Sequence, residues 1–218
     1  MTAGVEAPIT LGFVGGTGPE GTGLALRFAA AGHPVIIGSR DAGRAQEVAA
    51  RLSGGIKGEE NAQAVSATHV VFLTVPYPAQ AGLLPSLAEA IGSRVVINTI
   101  APVVFEKGRP RPVAVPDGSA AQEAQRLLPN ARVVAAFHHL SAKHLANLSH
   151  PLEGDVLVCG DDREAKQAAM ELVRELRELR PVDAGDLAYA SVLESVTALL
   201  IGINRRYRTE SGVRITGL

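Results

Sequence analysis

The feature that most constrains the fold is the stretch of residues 9–44, ITLGFVGGTGPEGTGLALRFAAAGHPVIIGSRDAGR. A short apolar run leads into the motif Gly16-x-Gly18-x-x-Gly21, an apolar-periodic segment follows, and a second apolar run ends at Ser39-Arg40. Strand, glycine turn, helix and strand in this order form the unit that binds a dinucleotide. The stretch therefore predicts a βαβ unit of a parallel sheet; the alternative is a glycine-rich structural turn in an unrelated α/β fold.

Each glycine of the motif has an expected role. Gly16 lets the chain turn sharply out of the strand, Gly18 lets the backbone approach a pyrophosphate, and Gly21 lets the helix pack closely on the strand. Pro19 suits the first helical turn, where its missing N–H would be unpaired anyway. The helix N-terminus offers free N–H groups and a partial positive charge to phosphates. Glu20 lies beside this anion site, so we expect its side chain to point to solvent.

The residues at the end of the second strand predict which dinucleotide binds. A site for NAD has an acidic residue here that accepts from the ribose 2′-hydroxyl. This chain has Ser39-Arg40 instead, with Arg44 one helical turn further on. A hydroxyl and two guanidinium groups suit a 2′-phosphate dianion, whereas Asp41 is better placed as a helix cap. The pattern predicts NADP; the alternative is two solvated surface arginines.

Composition excludes several classes of function. The 218 residues are 46% hydrophobic and 20% charged with a net charge of −1, which argues against nucleic acid or an anionic membrane as a partner. The single cysteine, Cys159, excludes an intrachain disulfide and a thiolate zinc cluster. No Lys or Arg precedes Arg27, so residues 1–8 lack the charged region of a signal peptide. We expect a short flexible tail and a cytoplasmic protein.

The alternation of strands and helices continues beyond the first unit. The strand HVVFLT ends at Thr74-Val75-Pro76, and the next strand ends before Ile100-Ala101. In an open α/β sheet the carboxyl ends of the strands face the ligand crevice, so both turns are candidates to line the nicotinamide end. Turns without a ligand role are the alternative. Residues 103–117 show no helix or strand pattern, which is typical of a lid or binding loop.

Three histidines follow a further predicted strand, in the segment FHHLSAKH. A metal site is disfavoured because adjacent His138 and His139 on an extended chain point in opposite directions, and no carboxylate or cysteine lies at ligand spacing. A role in lining the crevice, with Lys143 facing an anionic partner, is favoured over solvated loop histidines.

A change in composition near Pro151 predicts a domain boundary, with residues 1–150 binding NADP and residues 151–218 forming a small C-terminal domain. Residues 187–203 are apolar nearly all round, with Glu194 as the only charge. Such a pattern indicates a buried or interface helix rather than a membrane span.

Taken together, these segments resemble the NADPH-dependent reductases of coenzyme F420, also called F420:NADP oxidoreductases. The resemblance covers nearly the whole chain and rests on GGTGPEGTGLALRFAAAGH with GSR, on TVP, on the spaced motif of residues 138–148, and on VCGDD, LRPVDAGDL and LESVTALLIGIN. It implies a Rossmann-type doubly wound, mostly parallel sheet with a small C-terminal α/β domain, in a homodimer. It also implies reversible hydride transfer between NADP(H) and the deazaflavin F420.

The resemblance also implies roles for individual residues. The 2′-phosphate would be held by Thr17, Ser39, Arg40 and Arg44. The deazaflavin would meet His138, Leu140 and Ala142, and its pocket would be closed by the segment from Gly212 to Ile215. Ser141, where some relatives carry proline, and the RPRP-containing loop depart from the family pattern.

The residues present agree with a transfer that needs no acid–base dyad. Tyr77, Tyr189 and Tyr207 lack a lysine four residues further on, the pair that ketone reductases use to protonate a carbonyl. Hydride transfer between two planar rings needs only correct stacking, with His138 positioning the ring edge. A reductase of a small imine or keto acid, and a non-catalytic NADPH sensor, remain as alternatives.

Overall fold

The computed structural model describes residues 8–218, and its main feature is one eight-stranded sheet. The predicted flexible tail lies, apart from Pro8, outside these residues. The strands of the sheet are β1 (Leu11–Val14), β2 (Val35–Ser39), β3 (Lys57–Glu60), β4 (Val70–Leu73), β5 (Val95–Asn98), β8 (Arg132–Ala135), β9 (Gly154–Gly160) and β10 (Leu179–Asp183). Two further strands, β6 (Val103–Glu106) and β7 (Arg109–Pro112), form a separate hairpin.

Among the residues that the structure describes, seven α-helices lie between strands and an eighth follows the last strand. They are α1 (Pro19–Ala30), α2 (Ala42–Ala50), α3 (Asn61–Ser66), α4 (Tyr77–Ile91), α5 (Ala120–Leu127), α6 (Ala142–Ala146), α7 (Arg163–Glu175) and α8 (Ala190–Tyr207), and a 3₁₀ turn, Leu187–Tyr189, leads into α8.

The strand order is β10-β9-β8-β5-β4-β1-β2-β3, which is a doubly wound arrangement as predicted. The six strands from β8 to β3 are parallel, while β9 runs antiparallel to β8 with Ala135 opposite Cys159. β10 is parallel to β9. Residues 151–218 therefore extend the sheet of the first 150 residues, and the two segments share one sheet.

The core lies in two layers, one on each face of the sheet. On one face Phe13 stacks on Phe72 with ring centroids 4.6 Å apart, and Phe28 of α1 packs on Phe72 at 5.3 Å. The opposite face carries Leu73 and its neighbours against α4 and α5. Alternate strand residues thus point to opposite faces, and burying each large apolar side chain contributes about 1.5 to 3 kcal/mol. The C-terminal segment packs into the first of these layers through β9 and α7.

Residues 103–112 form a hairpin, although the sequence pattern predicted only an irregular loop. Lys107 and Gly108 both have positive φ, 47° and 75°, which is the conformation of a two-residue hairpin turn. The hairpin packs on α8, where the Arg205 guanidinium lies 4.8 Å from the centre of the Phe105 ring and donates to the Gly108 carbonyl. Packing on a distant helix therefore stabilises a strand pair with a proline-rich second strand.

Helix α8 matches the predicted apolar helix but extends to Tyr207. By length and composition the segment Leu187–Tyr207 would suffice to cross a membrane, a property that core helices of other proteins share. In the fold, Leu193 and Leu200 are buried, whereas Val192 and Leu199 are 58% and 61% exposed. One face of α8 thus belongs to the core, and another presents apolar side chains outward.

Candidate active site

The turn between β1 and α1 has the close packing that its glycines predicted, with one change of role. The residue with positive φ is Gly15, at 71°, and its N–H donates to Asn61 Oδ1 at 3.1 Å. Gly16 does not supply the unusual backbone angle; a Cβ there would lie 2.8 Å from Phe13 Cβ. A Cβ at Gly21 would lie 2.7 Å from Gly16 Cα, so this glycine allows the predicted contact between helix and strand.

The N-terminus of α1 opens onto free space. Gly18 is the N-cap, and Pro19 lies in the first helical turn as predicted. A Cβ placed on Gly18 would have only the Gly15 carbonyl oxygen, 3.9 Å away, within reach. The space above Gly18 is therefore available to a ligand, and the first amides of the helix face it without intrahelical acceptors.

The end of β2 presents two arginines that have no acidic partner among residues 8–218. Arg40 and Arg44 are both exposed, and Ser39 is buried at the strand end. Asp41 accepts from the Arg44 N–H at 3.2 Å, so it caps α2 as predicted. Two uncommitted guanidinium groups at this place suit a phosphate dianion.

A cleft of about 1140 Å³ joins the turn, the arginines and the strand ends. It collects most of the residues predicted to bind the cofactor: Thr17, Gly18, Pro19, Glu20, Ser39, Arg40, Arg44, Thr74, Val75, Pro76, Ile100 and Ala101. Gly16 and Gly21 lie behind the cleft as packing residues. Asn61, Tyr77 and Thr99 also line it, and no sequence motif points to Asn61 or Thr99.

Hydroxyl groups tie neighbouring strand ends together along the floor of the cleft. Thr74 Oγ1 donates to the Val14 carbonyl at 2.9 Å, and Thr99 Oγ1 donates to the Leu73 carbonyl at 2.9 Å. Behind them Asn98 Oδ1 accepts from the Ile100 N–H at 2.9 Å. Each threonine bond joins the ends of two strands that are adjacent in the sheet, and the Asn98 bond fixes the turn after β5. The floor of the cleft is therefore held in place without a ligand.

Glu20 is the clearest departure from the sequence expectation. Its side chain does not point to solvent: Oε1 is buried and has no hydrogen-bond partner in the described part of the chain. Burial raises the pKa of Glu20 from 4.5 to about 8, because a carboxylate without water or a cation is disfavoured. At neutral pH this wall of the cleft is therefore a neutral carboxylic acid.

The loop after β8 is a tight turn, whereas the sequence pattern predicts extended chain at His138 and His139. Phe137 has φ 68°, a strained value for a bulky residue, which its buried ring offsets by packing on Phe28 and Phe72. As a result the His138 and His139 rings do not diverge; they meet edge to face with centroids 5.6 Å apart.

His138 is 4% exposed and does not line the cleft in this conformation. Neither ring nitrogen has a hydrogen-bond partner among the described residues. Burial, and then His139, lower its pKa to about 3, so the ring is neutral. Leu140 and Ala142 are partly exposed at the same edge of the sheet. Within residues 8–218 no group of three or more His, Cys, Asp or Glu side chains is arranged to hold a metal ion.

The C-terminal tail folds back on the start of β9 and does not line the cleft. Asp155 accepts from the Ile215 N–H at 2.6 Å, and Arg180 donates to the Ile215 carbonyl at 2.7 Å. The hydrogen bonds from the Arg180 guanidinium are the main reason that the pKa of Asp155 is lowered to about 2. Gly212 and Ile215 are exposed. Because β9 is antiparallel, its start lies at the same edge of the sheet as the cleft.

The match to known proteins agrees with this geometry. A sequence profile described as "NADP oxidoreductase coenzyme F420-dependent" matches residues 10–102. The chain is 42% identical to the F420-dependent NADP reductase of Methanothermobacter marburgensis over 94% of this chain and 97% of that relative. The chain belongs to this family.

Other members of the F420-dependent NADP oxidoreductase family match over a similar span. The F420-dependent NADP reductase of Methanocaldococcus jannaschii is 35% identical over 95% of this chain and 98% of its own length. A solved structure of an Arthrobacter protein superposes with a TM-score of 0.83 over 95% of this chain and 98% of its own, at 21% identity, which supports the fold. The profile match ends just beyond Ile100-Ala101, and so covers the cleft from its glycine turn to its floor.

Some residues that shape the site of this family member carried no signal in the sequence. Asn61 is 1% exposed and holds the Gly15 amide across 46 positions of chain. Gln80 is fully buried and links Asn98, at 3.0 Å, to Glu123, at 2.7 Å. A polar residue that starts a short helix, or sits within an amphipathic one, is not distinguishable from a solvated residue until the fold buries it.

Proposed function

We propose that the protein transfers a hydride reversibly between NADP(H) and the deazaflavin coenzyme F420. The observation that carries the proposal is the cleft itself, in a chain of this family. Among the residues that the structure describes, it has unpaired arginines at its β2 end and no general acid at the carboxyl ends of β4 and β5. When bound, NADP(H) and F420 supply the two carbon atoms between which the hydride moves.

The residues of the cleft fit NADP. The open position above Gly18 leaves room for a pyrophosphate against the first amides of α1. Arg40 and Arg44, with the hydroxyl of Ser39 and the neighbouring Thr17, would hold the 2′-phosphate. Each charge-assisted hydrogen bond to such a group is worth on the order of 1.5 to 3 kcal/mol, and exposure of the arginines to water lowers this.

The nicotinamide end has no proton donor suited to a carbonyl or imine among the described residues. The phenol of Tyr77 lines the cleft, but it donates to Glu123 Oε1 at 3.4 Å. Burial, and then Glu123, raise the pKa of Tyr77, which makes it a weaker acid still. Val75, Pro76, Ile100 and Ala101 offer a mainly apolar wall that positions a ring and excludes water.

Leu140 and Ala142 are proposed to contact the deazaflavin, because they lie at the carboxyl end of β8 and remain partly exposed. His138 supports this loop through its backbone, since its carbonyl accepts from Thr197 Oγ1 at 2.9 Å. A direct contact between the His138 ring and the deazaflavin stays a prediction that requires the loop to open.

We further propose a homodimer built on α8. The exposed apolar side chains of Val192 and Leu199 lie seven residues apart on one helical face, next to Tyr189, which is 54% exposed. Covering this face with a second copy would remove it from water. In such a dimer the exposed segment from Gly212 to Ile215 would help close a deazaflavin pocket. The helix is then an interface helix of a cytoplasmic protein without membrane or nucleic-acid partners.

The test is direct. Purified protein is mixed with NADPH and oxidised F420, and the deazaflavin absorbance is followed, with NADH as the matched control. Loss of absorbance with NADPH, and recovery when NADP and reduced F420 are mixed, is expected. NADPH binding without any turnover would favour the sensor alternative, and turnover only with an imine or keto acid would favour the other reductase.

A further inference from the structure

A second pocket, of about 820 Å³, lies between α6 and the C-terminal end of α8, and shares no lining residue with the cleft. Its charged and titratable lining consists of Lys143, His144, His150, Arg205, Arg208 and Glu210. Three permanent cations and two histidines thus face a single carboxylate. A pocket of this composition selects anions.

Among the described residues that line this pocket, Arg208 is the cation without a partner. Arg205 is already engaged with Phe105 and the Gly108 carbonyl. Glu210 is held by Ser141 Oγ at 2.8 Å and by Lys143 Nζ at 3.8 Å, which leaves Lys143 only partly neutralised. Arg208 has no ion-pair or side-chain hydrogen-bond partner in the part of the chain that the structure describes, and its φ of 54° projects it from the αL cap of α8.

The walls of the pocket are held in place by a partly exposed hydrogen-bond network centred on Arg27. Arg27 donates to the backbone carbonyls of His144 at 2.6 Å, Leu145 at 3.0 Å and His150 at 2.8 Å. These bonds bring the His144 and His150 rings to 3.9 Å between centroids. No carboxylate among residues 8–218 pairs with Arg27, so its positive charge adds to the potential of the pocket.

The pocket adjoins the loop that is proposed to contact the deazaflavin ring. Lys143 follows Ala142 directly, and Ser141 joins this loop to Glu210 on the far wall. We infer that the pocket binds the anionic tail of the deazaflavin substrate, with Arg208 and Lys143 contacting its phosphate and glutamate carboxylates. This inference rests on the proposed function and gives that site its specificity for a tailed substrate over a bare ring.

The experiment compares three substrates at saturating NADPH: F420 with its full tail, a deazaflavin that keeps the phosphate but lacks glutamates, and one that has neither. The variant is Lys143→Ala combined with Arg208→Asn, because asparagine tolerates the αL backbone. Arg206→Ala is the matched control, an exposed basic residue of α8 that does not line the pocket. Thermal unfolding checks that each variant folds.

We expect the double variant to raise KM for full-length F420 about tenfold while kcat, KM for NADPH and KM for the tail-less deazaflavin stay within about twofold. The control should match wild type, and the phosphate-only substrate assigns the loss to phosphate or to carboxylates. Equal KM changes for tailed and tail-less substrates, or none for either, would overturn the inference. If wild-type protein reduces none of the three, the proposed function fails, and the tail assignment with it.

Discussion

The buried carboxyl group of Glu20 makes the affinity for NADPH depend on pH in a way that one substitution tests. Glu20 is the second residue of α1, lines the cleft, and has an unpartnered Oε1 among the described residues. With a pKa of about 8 it is protonated at pH 7, and deprotonation would put a negative charge beside the proposed pyrophosphate site. We therefore expect NADPH to bind the neutral form.

The size of the effect follows from the pKa. If NADPH binds only when Glu20 is protonated, the apparent Kd equals the Kd of the protonated form multiplied by 1 + 10^(pH − pKa). Kd should be constant below pH 7, about tenfold weaker at pH 9 and about thirtyfold weaker at pH 9.5. Glu20→Gln keeps the shape without the titration, so its Kd should stay nearly flat over this range.

The assay is fluorescence titration of NADPH into both proteins between pH 6.5 and 9.5 at constant ionic strength. Stability gives a second readout with a defined sign. Between about pH 4.5 and 8 the unfolded chain has lost a proton that folded Glu20 keeps, so this group makes the wild type less stable as pH rises, by at most about 1.4 kcal/mol per pH unit. Glu20→Gln should remove that slope. Identical pH dependence of Kd in the two proteins would refute the reasoning.

Arg40→Ala should raise KM for NADPH about tenfold or more and leave KM for NADH within about twofold, because only NADP carries the 2′-phosphate dianion. Steady-state kinetics with both coenzymes test this. Equal increases in KM for NADPH and NADH would exclude a contact with the 2′-phosphate. Leu199→Glu should convert a dimer into a monomer in light scattering, whereas Arg206→Ala should not, since only the former places a charge on the exposed apolar face of α8. His138→Ala should slow hydride transfer about ten- to a hundredfold, because the buried ring packs the loop that carries Leu140. It should not abolish transfer, because a ring whose pKa is about 3 is not a proton donor at neutral pH. A large solvent deuterium effect on single-turnover transfer in the wild type would contradict that last expectation.

Local sequence was sufficient for the first βαβ unit and the coenzyme it selects. The spacing of Gly16, Gly18 and Gly21 needs only neighbouring residues to specify a turn, and Ser39-Arg40 follows the second strand at a distance set by the unit itself. The parallel order of strands also followed, because each apolar run is separated from the next by a helical pattern.

The tertiary structure decided those side-chain environments that depend on residues far apart in the chain. The sequence pattern predicts a solvated side chain at Glu20. Its carboxyl group is buried only because the fold closes around it. The hairpin of residues 103–112 forms where α8 packs against it, and His138 is buried by the turn that Phe137 makes into the aromatic core.

The physical reason is the range of the interactions. Helix periodicity, glycine freedom and capping act over a few residues, so a sequence states them directly. Desolvation of a charge, and packing of a strand on a helix, depend on which distant segments exclude water from the group. Asp155, for example, binds both Arg180 of β10 and the amide of Ile215, 60 positions away, and only the folded chain brings these partners together.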